Sequence, residues 1–302
     1  MITISYVNFW ENFNEPQDRW FTKFIEANID KDIIEVAPHN NPDIMICSCF
    51  GYIENVKRYN SKIKLFFYGE NLDRIANYND IELLKSIFDL IVGFKYTDKK
   101  NKIFRLPLWL CYYPFYNMNL NNNVITHLEE AYKNNLNNKS AFCSLISTHD
   151  MYGQRIILYN EMSKYGLILC PSKFKNNCDS IGNNNISKIE FIKKTKYSIC
   201  PENSCFEGYF TEKIFQALEG GNIPIYHAIE EPEKDILNSN KYCFINDVNN
   251  KKEVETKIKD VIENPDKYTE GNLFNENSYK IINQYYTDLI EEIKKKLLYK
   301  DM

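Results

Sequence analysis

The sequence predicts an α/β protein made of two domains, each built on a mostly parallel sheet. Three observations lead there. Short apolar runs alternate with stretches of helical periodicity along most of the 302 residues, the pattern of successive βαβ units. One segment, Tyr197 to Tyr226, reads as a complete strand, loop, helix, turn and strand. A polar, Asn-rich stretch, Asn117 to Asn138, divides the pattern in two, and the chain is long enough for two domains with their own cores.

Ile2 to Phe9 is a β-prone opening, and Arg19 to Ala27 places Trp20, Phe21, Phe24 and Ile25 at helical spacing. Ile33 to Val36, Ile44 to Cys47 and Ile63 to Tyr68 are short apolar strands. Ile81 to Phe88 reads as a helix and Leu90 to Val92 as a strand closed by Gly93. Val124, Leu128, Ala131 and Leu136 make a helical stripe inside the Asn-rich stretch, where the inter-domain linker is placed. Ala141 to Ser147 begins the second series. Arg155 to Tyr165 is a helix stopped by Gly166, Leu167 to Cys170 a strand, and Asn176 to Ser187 a polar loop. Glu230 to Leu237 predicts a short helix, Tyr242 to Ile245 a strand, and Lys251 to Glu263 an amphipathic helix ended by Asn264-Pro265. Ser278 to Tyr299 is a long helix with Ile282, Tyr285, Leu289, Ile293 and Leu297 on one stripe. Its mixed charges predict docking on a domain, with at most peripheral membrane contact. The expected division is therefore 1–125, 139–275 and a C-terminal amphipathic helix, 276–302.

The stretch Cys200 to His227 carries the densest chemistry. Thr211-Glu212-Lys213 opens a helix bearing Ile214, Phe215, Ala217 and Leu218, and Gly220-Gly221 stops it. A helix N-terminus exposes unpaired N–H groups and a positive dipole end, which suits a phosphate. Lys213 stands in that first turn, where the dipole disfavours a cation, and an anionic ligand would relieve the conflict. Glu202, Asn203, Glu207 and Glu212 supply the carboxylates and amide that sugar hydroxyls need. The same residues also fit a surface αβ unit in which Thr211 only caps a helix.

Composition narrows the classes. The formal charge is −4, which does not favour nucleic acid as a partner, since that asks for a basic face. Aromatics make up 15%, with 22 Tyr, as fits a carbohydrate-facing protein or a Tyr-filled core. The nine cysteines are scattered, without a C-x-x-C pair, and read as buried free thiols of a reducing compartment. Met1 to Val7 has neither basic region nor cleavage site, and no apolar run approaches a membrane span, so a cytoplasmic protein is expected. The only D-x-D is Asp30-Lys31-Asp32, far from the dense stretch, so no metal ligand set is assigned.

Read whole, ENSCFEGYFTEKIFQALEGGNIPIYHA closely resembles the donor-binding motif of the α1,3-fucosyltransferases, glycosyltransferase family 10, in its bacterial or viral form. That motif runs F-E-N-S, a short spacer, Y-hydrophobic-T-E-K, then a helix ending before V/I-P-I/V-Y. Pro201 stands where the family usually has Phe. Gly69-Glu70-Asn71 after the strand Lys64 to Tyr68 is similar to a turn of the bacterial enzymes. As in those enzymes, an aliphatic strand follows (Ile91-Val92-Gly93-Phe94) and then Arg105-Leu106-Pro107-Leu108. Arg155, at the start of a helix after a strand and loop, fits a third family position. The loop 176–187 departs from the family's Gly-rich segment, having only Gly182. The resemblance is good over Lys64 to Tyr226 and weaker elsewhere.

What the resemblance implies is specific. The architecture would be GT-B: two Rossmann-like domains facing a cleft, acceptor mainly on the first, nucleotide sugar mainly on the second, and the C-terminal helix crossing back to the first. Glu70 would be the general base. Arg155, Asn203, Tyr209, Thr211, Glu212 and Lys213 would bind the donor, with Glu202, Ser204 and Glu207 as additional candidates. The expected reaction is inverting transfer of L-fucose from GDP-β-L-fucose to an N-acetylglucosamine-containing glycan, giving an α1,3 or α1,4 link. No cofactor is required, a divalent metal being at most a stimulant. The alternatives are the same fold with another GDP-sugar, or a non-catalytic sugar-binding protein.

Overall fold

The structure is a computed structural model, described here for residues 1–11, 13, 19–182 and 184–299. It divides into two compact units, 1–123 with 279–302, and 124–278. Asn183, inside the loop expected at 176–187, lies outside the described residues.

The first unit runs β1 (Ile2–Val7), α1 (Trp20–Asn28), β2 (Ile33–Glu35), β3 (Ile44–Cys47), α2 (Ile53–Lys57), β4 (Ile63–Tyr68), α3 (Ile81–Ile87), β5 (Leu90–Gly93), β6 (Ile103–Arg105) and α4 (Leu108–Cys111). Its six strands are all parallel, in the order β2-β1-β3-β4-β5-β6. Residues aligned across the sheet, Ile4 with Ile44, Ile46 with Leu65 and Leu65 with Leu90, are fully buried. Burial on both faces is why these strands read as continuous apolar runs rather than alternating ones.

The second unit runs α5 (Val124–Asn135), β7 (Ala141–Ser144), α6 (Gln154–Met162), β8 (Ile168–Leu169), α7 (Asn185–Ile192), β9 (Thr195–Ile199), α8 (Glu212–Glu219), β10 (Ile223–His227), β11 (Cys243–Ile245), α9 (Lys251–Glu263) and α10 (Asp266–Thr269). Its parallel sheet has the order β11-β10-β9-β7-β8. Chain order reverses between β7 and β9, and the crevice beyond the carboxyl ends of such neighbours is where open α/β sheets take ligands.

The last helix, α11 (Ser278–Tyr299), belongs with the first unit from Tyr279 onward. Its buried apolar positions are Ile282, Tyr286, Leu289 and Ile293, so Tyr286 rather than the expected Tyr285 occupies the inner stripe. The Tyr286 hydroxyl donates to the Phe115 carbonyl at 3.0 Å, and Lys99 pairs with Asp288 at 2.8 Å.

Three local readings change. The stretch read as a linker carries α5, whose Val124, Leu128 and Tyr132 are buried and which packs on α8. At that contact Gly221, at φ +73°, lies so close to Asn135 that a Cβ would meet its backbone at 2.3 Å. The polar loop ends early, because Asn184 caps α7 by accepting from Ser187 N at 2.8 Å. The helix expected over 230–237 is a series of turns: Glu233 sits in the left-handed region at φ +42°, which a right-handed helix cannot contain.

Candidate active site

The motif helix α8 packs against α5, α7 and β10, and even its Glu212, Gln216 and Glu219 are largely buried. Thr211 stands at its N-cap in an extended conformation, but its side chain makes no capping bond. The Thr211 hydroxyl instead donates to Glu202 Oε2 at 2.7 Å and accepts from Lys213 Nζ at 2.8 Å. The first N–H groups of the helix are therefore left without the usual side-chain partner.

Glu202 organises this loop. It is fully buried, and its carboxylate accepts from Thr211 N (2.8 Å), Tyr226 Oη (2.8 Å), Thr211 Oγ1 and Lys213 Nζ (3.2 Å). Gln154 donates to the Glu202 carbonyl. A buried carboxylate saturated in this way is an internal anchor. It also answers the conflict seen at Lys213: the cation in the first turn is held by Glu202, with Glu212 Oε1 at 4.0 Å. Burial pulls the Lys213 pKa down, but the two carboxylates outweigh it and hold the ammonium above its ordinary value.

Arg155 opens α6 and is nearly buried. Its Nη1 donates to the His149 carbonyl and its Nη2 to Asn203 Oδ1, both at 2.6 Å. Asp150 accepts from the backbone N–H groups of Arg155 and Ile156, which fills the N-terminus of α6 with a carboxylate from the chain itself. Desolvation lowers the Arg155 pKa, opposed by the charges of Asp150 and Glu202.

A cavity of about 400 Å³ lies where β7 and β9 end, bounded by Ser144 to His149, Ser198 to Pro201 and the start of α8. Arg155, Asn203, Glu212 and Lys213 all line it. Lys188, from α7, adds a third cation to the wall. The other residues expected to bind the donor do not line it. Tyr209, Thr211, Glu202 and Ser204 are buried, and Glu207 is exposed. A larger cavity of about 1020 Å³ sits beside β11 and α9, away from the motif.

Glu70 belongs to the first unit, in the turn after β4, and is partly exposed. Its charge helps raise the pKa of Cys49, which follows β3, although burial of that thiol is the larger cause. Gly93 is required nearby, because a Cβ there would stand 2.6 Å from the Tyr68 carbonyl, whereas one at Gly69 would press on the Leu108 Cδ1 methyl at 2.8 Å. Arg105 of the R-L-P-L run is fully buried and donates to the Phe94 carbonyl, so it braces this end of the sheet. Asp30, of the lone D-x-D, accepts from the Met1 ammonium and from Asp32 N.

Comparison with known proteins decides the family. Residues 4–112 match the N-terminal domain of the α-(1,3)-fucosyltransferase FucT, and residues 136–292, more than half of the chain, match the model of glycosyltransferase family 10 (fucosyltransferase). The chain belongs to glycosyltransferase family 10. An α-(1,3)-fucosyltransferase FucT of Helicobacter pylori is 23% identical over 277 residues, covering 82% of this chain and 55% of that protein. The chain spans about half the length of the curated relatives it matches. A crystal structure of an α1,3-fucosyltransferase superposes with a TM-score of 0.67 at 19% identity, covering 98% of this chain and 89% of the other. A GDP-fucose complex of an α1,3-fucosyltransferase gives 0.62 at 19% identity, with 96% and 90% covered. These likenesses carry the fold: this family 10 chain has the GT-B architecture, with two parallel-sheet units and a long C-terminal helix.

In this family 10 chain, sequence reasoning missed Lys188, Asp150 and Tyr226. Tyr226 stood in the quoted motif, in the family's P-I/V-Y position, as the end of a strand. Lys188 carries no signal beyond lying one helical turn after Asn184, a good N-cap residue. No helix among the described residues is long and apolar enough to cross a membrane. Among the same residues, no group of three or more His, Cys, Asp or Glu is placed to hold a metal ion.

Proposed function

We propose that this chain transfers L-fucose from GDP-β-L-fucose to a hydroxyl of an N-acetylglucosamine-containing glycan, with inversion, giving an α1,3 link. The observation that carries the reading is the wall of the 400 Å³ cavity, where Arg155, Lys188 and Lys213 converge beside the uncapped start of α8. Three cations and a helix N-terminus make a cradle for a nucleoside diphosphate. Family membership and the GDP-fucose complex of a structural relative supply the sugar.

In the proposed step Glu70 accepts the proton of the acceptor hydroxyl. The hydroxyl oxygen forms its bond to the anomeric carbon as the bond from that carbon to the β-phosphate oxygen breaks. GDP departs with the electron pair, its growing charge met by Arg155, Lys213 and the N–H groups of α8. Glu212 and Asn203, which line the same cavity, are assigned to hydroxyl groups of the donor. Tyr209, Thr211, Ser204 and Glu202 act from behind, by holding the loop. Glu207, exposed and outside the wall, takes no part in the donor contact. A general base of this type contributes about 10²–10⁴-fold. Glu70→Gln should therefore lose that factor in transfer while GDP affinity, measured calorimetrically, stays within about twofold. Full transfer by Glu70→Gln would remove the base assignment.

A further inference from the structure

His149 is a wall residue of the donor cavity to which the proposed transfer gives no part. It stands in the loop between β7 and α6, and its backbone is fixed on both sides. Its carbonyl accepts from Arg155 Nη1 at 2.6 Å and from Ser147 Oγ at 2.8 Å. The next residue, Asp150, accepts from the N–H groups of Arg155 and Ile156 at 3.1 and 2.9 Å. The residue itself is exposed, and its imidazole makes no hydrogen bond or ion pair among the described residues. A ring left unengaged on a backbone held this firmly keeps both nitrogens available to a ligand.

The charge balance of the wall gives that ring a task. Arg155, Lys188 and Lys213 bring three positive charges to the cavity. Three carboxylates answer them: Glu202 and Glu212 stand 3.2 and 4.0 Å from Lys213, and the charges of Asp150 and Glu202 act on Arg155. Both arms of Arg155 are also engaged, on the His149 carbonyl and on Asn203 Oδ1. With a neutral imidazole these cations and carboxylates cancel. A sugar nucleotide carries a negative charge on each phosphate, and the leaving GDP gains one more when the bond from the β-phosphate oxygen to the anomeric carbon breaks. An imidazole changes its charge between about pH 5 and 8, so it can supply a positive charge that the balanced wall lacks.

Given a GDP-sugar as the donor, as proposed, we infer that His149 binds the diphosphate as an imidazolium. The ring takes up a proton as the sugar nucleotide enters and donates a charge-assisted hydrogen bond to a phosphate oxygen. The same charge is in place when GDP leaves. Donor affinity is thereby tied to pH through one ring. The charged groups around that ring are Asp150 on its own loop, Arg155 on α6, Lys188 on α7, and Glu212 and Lys213 on α8, with Glu202 behind them.

Calorimetric titration of the full chain with GDP-fucose, without acceptor, over about pH 5.5 to 8.5 tests this. GDP-fucose is the probe because both its phosphates are diesters that hold their charge over that range, whereas the terminal phosphate of GDP loses a proton at about pH 6. The dissociation constant should rise about tenfold from the acid to the alkaline end, as loss of one hydrogen bond to a charged group implies. In His149→Gln it should stay at the alkaline wild-type value throughout. In His149→Lys, whose charge is fixed, it should stay near the acid wild-type value, which a merely structural loop residue would not do. Titrations at about pH 7 in two buffers of unlike ionisation heat should show net proton uptake in the wild type and none in His149→Gln. Both variants should melt with the wild type, because the exposed ring has no partner to lose. A flat wild-type profile, or the full wild-type slope retained in His149→Gln, would overturn the role of His149 and leave the donor reading intact. Absence of binding by both GDP-fucose and GDP at every pH would instead remove the donor reading, and the role of His149 with it.

Discussion

Arg155 Nη2 donates to Asn203 Oδ1 at 2.6 Å, and this bond ties the segment after β7 to the segment after β9 across the point where strand order reverses. The other arm of the same guanidinium holds the His149 carbonyl. The two loops that flank the donor cavity thus share one planar fork. Arg155→Lys keeps the charge but cannot hold both acceptors. It should weaken GDP binding by roughly 1.5–3 kcal/mol, the worth of hydrogen bonds to a charged group. Calorimetric titration with GDP checks it, and an unchanged affinity would mean that the fork does not shape the site.

Glu202 and Lys213 form a buried pair inside that loop, at 3.2 Å. Removing the carboxylate takes the acceptor from the Tyr226 hydroxyl and the nearest counter-charge from the buried ammonium. Glu202→Ala should cost about 3–5 kcal/mol of stability, as breaking buried pairs does. The urea midpoint measures this directly. A surface glutamate would give less than about 1 kcal/mol.

Lys188 lines the donor cavity with no ion pair or hydrogen bond from its side chain among the described residues. Lys188→Ala should therefore leave the urea midpoint nearly unchanged, within about 0.5 kcal/mol. It should still weaken GDP binding, and the loss should shrink as salt is raised, because the interaction is charge with charge. Equal GDP affinity at low and high salt would take Lys188 out of the cradle.

The parts of the fold that were legible in the sequence are those set by local pattern. Parallel strands buried on both faces read as apolar runs, and α9 and α11 keep their expected limits because their stripes and stops are local. The rest depended on distant partners. Helix α5 is Asn-rich and looks like a linker until α8 is there to cover. The turn at Glu233 carries no glycine to announce its left-handed backbone. At the site, Arg155, Asn203, Glu212 and Lys213 were named from the motif, and the cavity brings all four together. The role of Glu202 was hidden because its four donors come from Thr211, Lys213 and Tyr226, brought together only by folding.

Alkaline pH should unfold this chain through its thiols. Burial pushes Cys49 and Cys170 up to about 11 and Cys243 to about 12 from an ordinary 9.0, and Cys47, Cys143 and Cys200 upward as well. A raised folded pKa contributes stability that is complete below the unfolded pKa and is lost as pH rises through the folded one. Lys139 acts in the opposite sense. Burial depresses it to about 8, so between there and 10.5 the unfolded state holds more protons and stability rises. Two depressed lysines, Lys139 and Lys241, stand against nine raised thiols, Cys111, Cys178 and Cys205 among them, so the urea midpoint should fall from about pH 9 upward. A midpoint that climbed steadily from pH 8 to 10.5 would show the lysines dominating.

Turnover and melting of the full chain with GDP, GDP-fucose, GDP-mannose and UDP-glucose, with and without N-acetyllactosamine, test the central claim most directly. A ligand at 100 times its dissociation constant stabilises by about 2.7 kcal/mol, enough to register as a melting shift. The account predicts that GDP and GDP-fucose both raise the melting temperature, that only GDP-fucose is consumed, and that acceptor speeds its consumption. Absence of any shift with guanine nucleotides, or consumption of UDP-glucose in place of GDP-fucose, would contradict it.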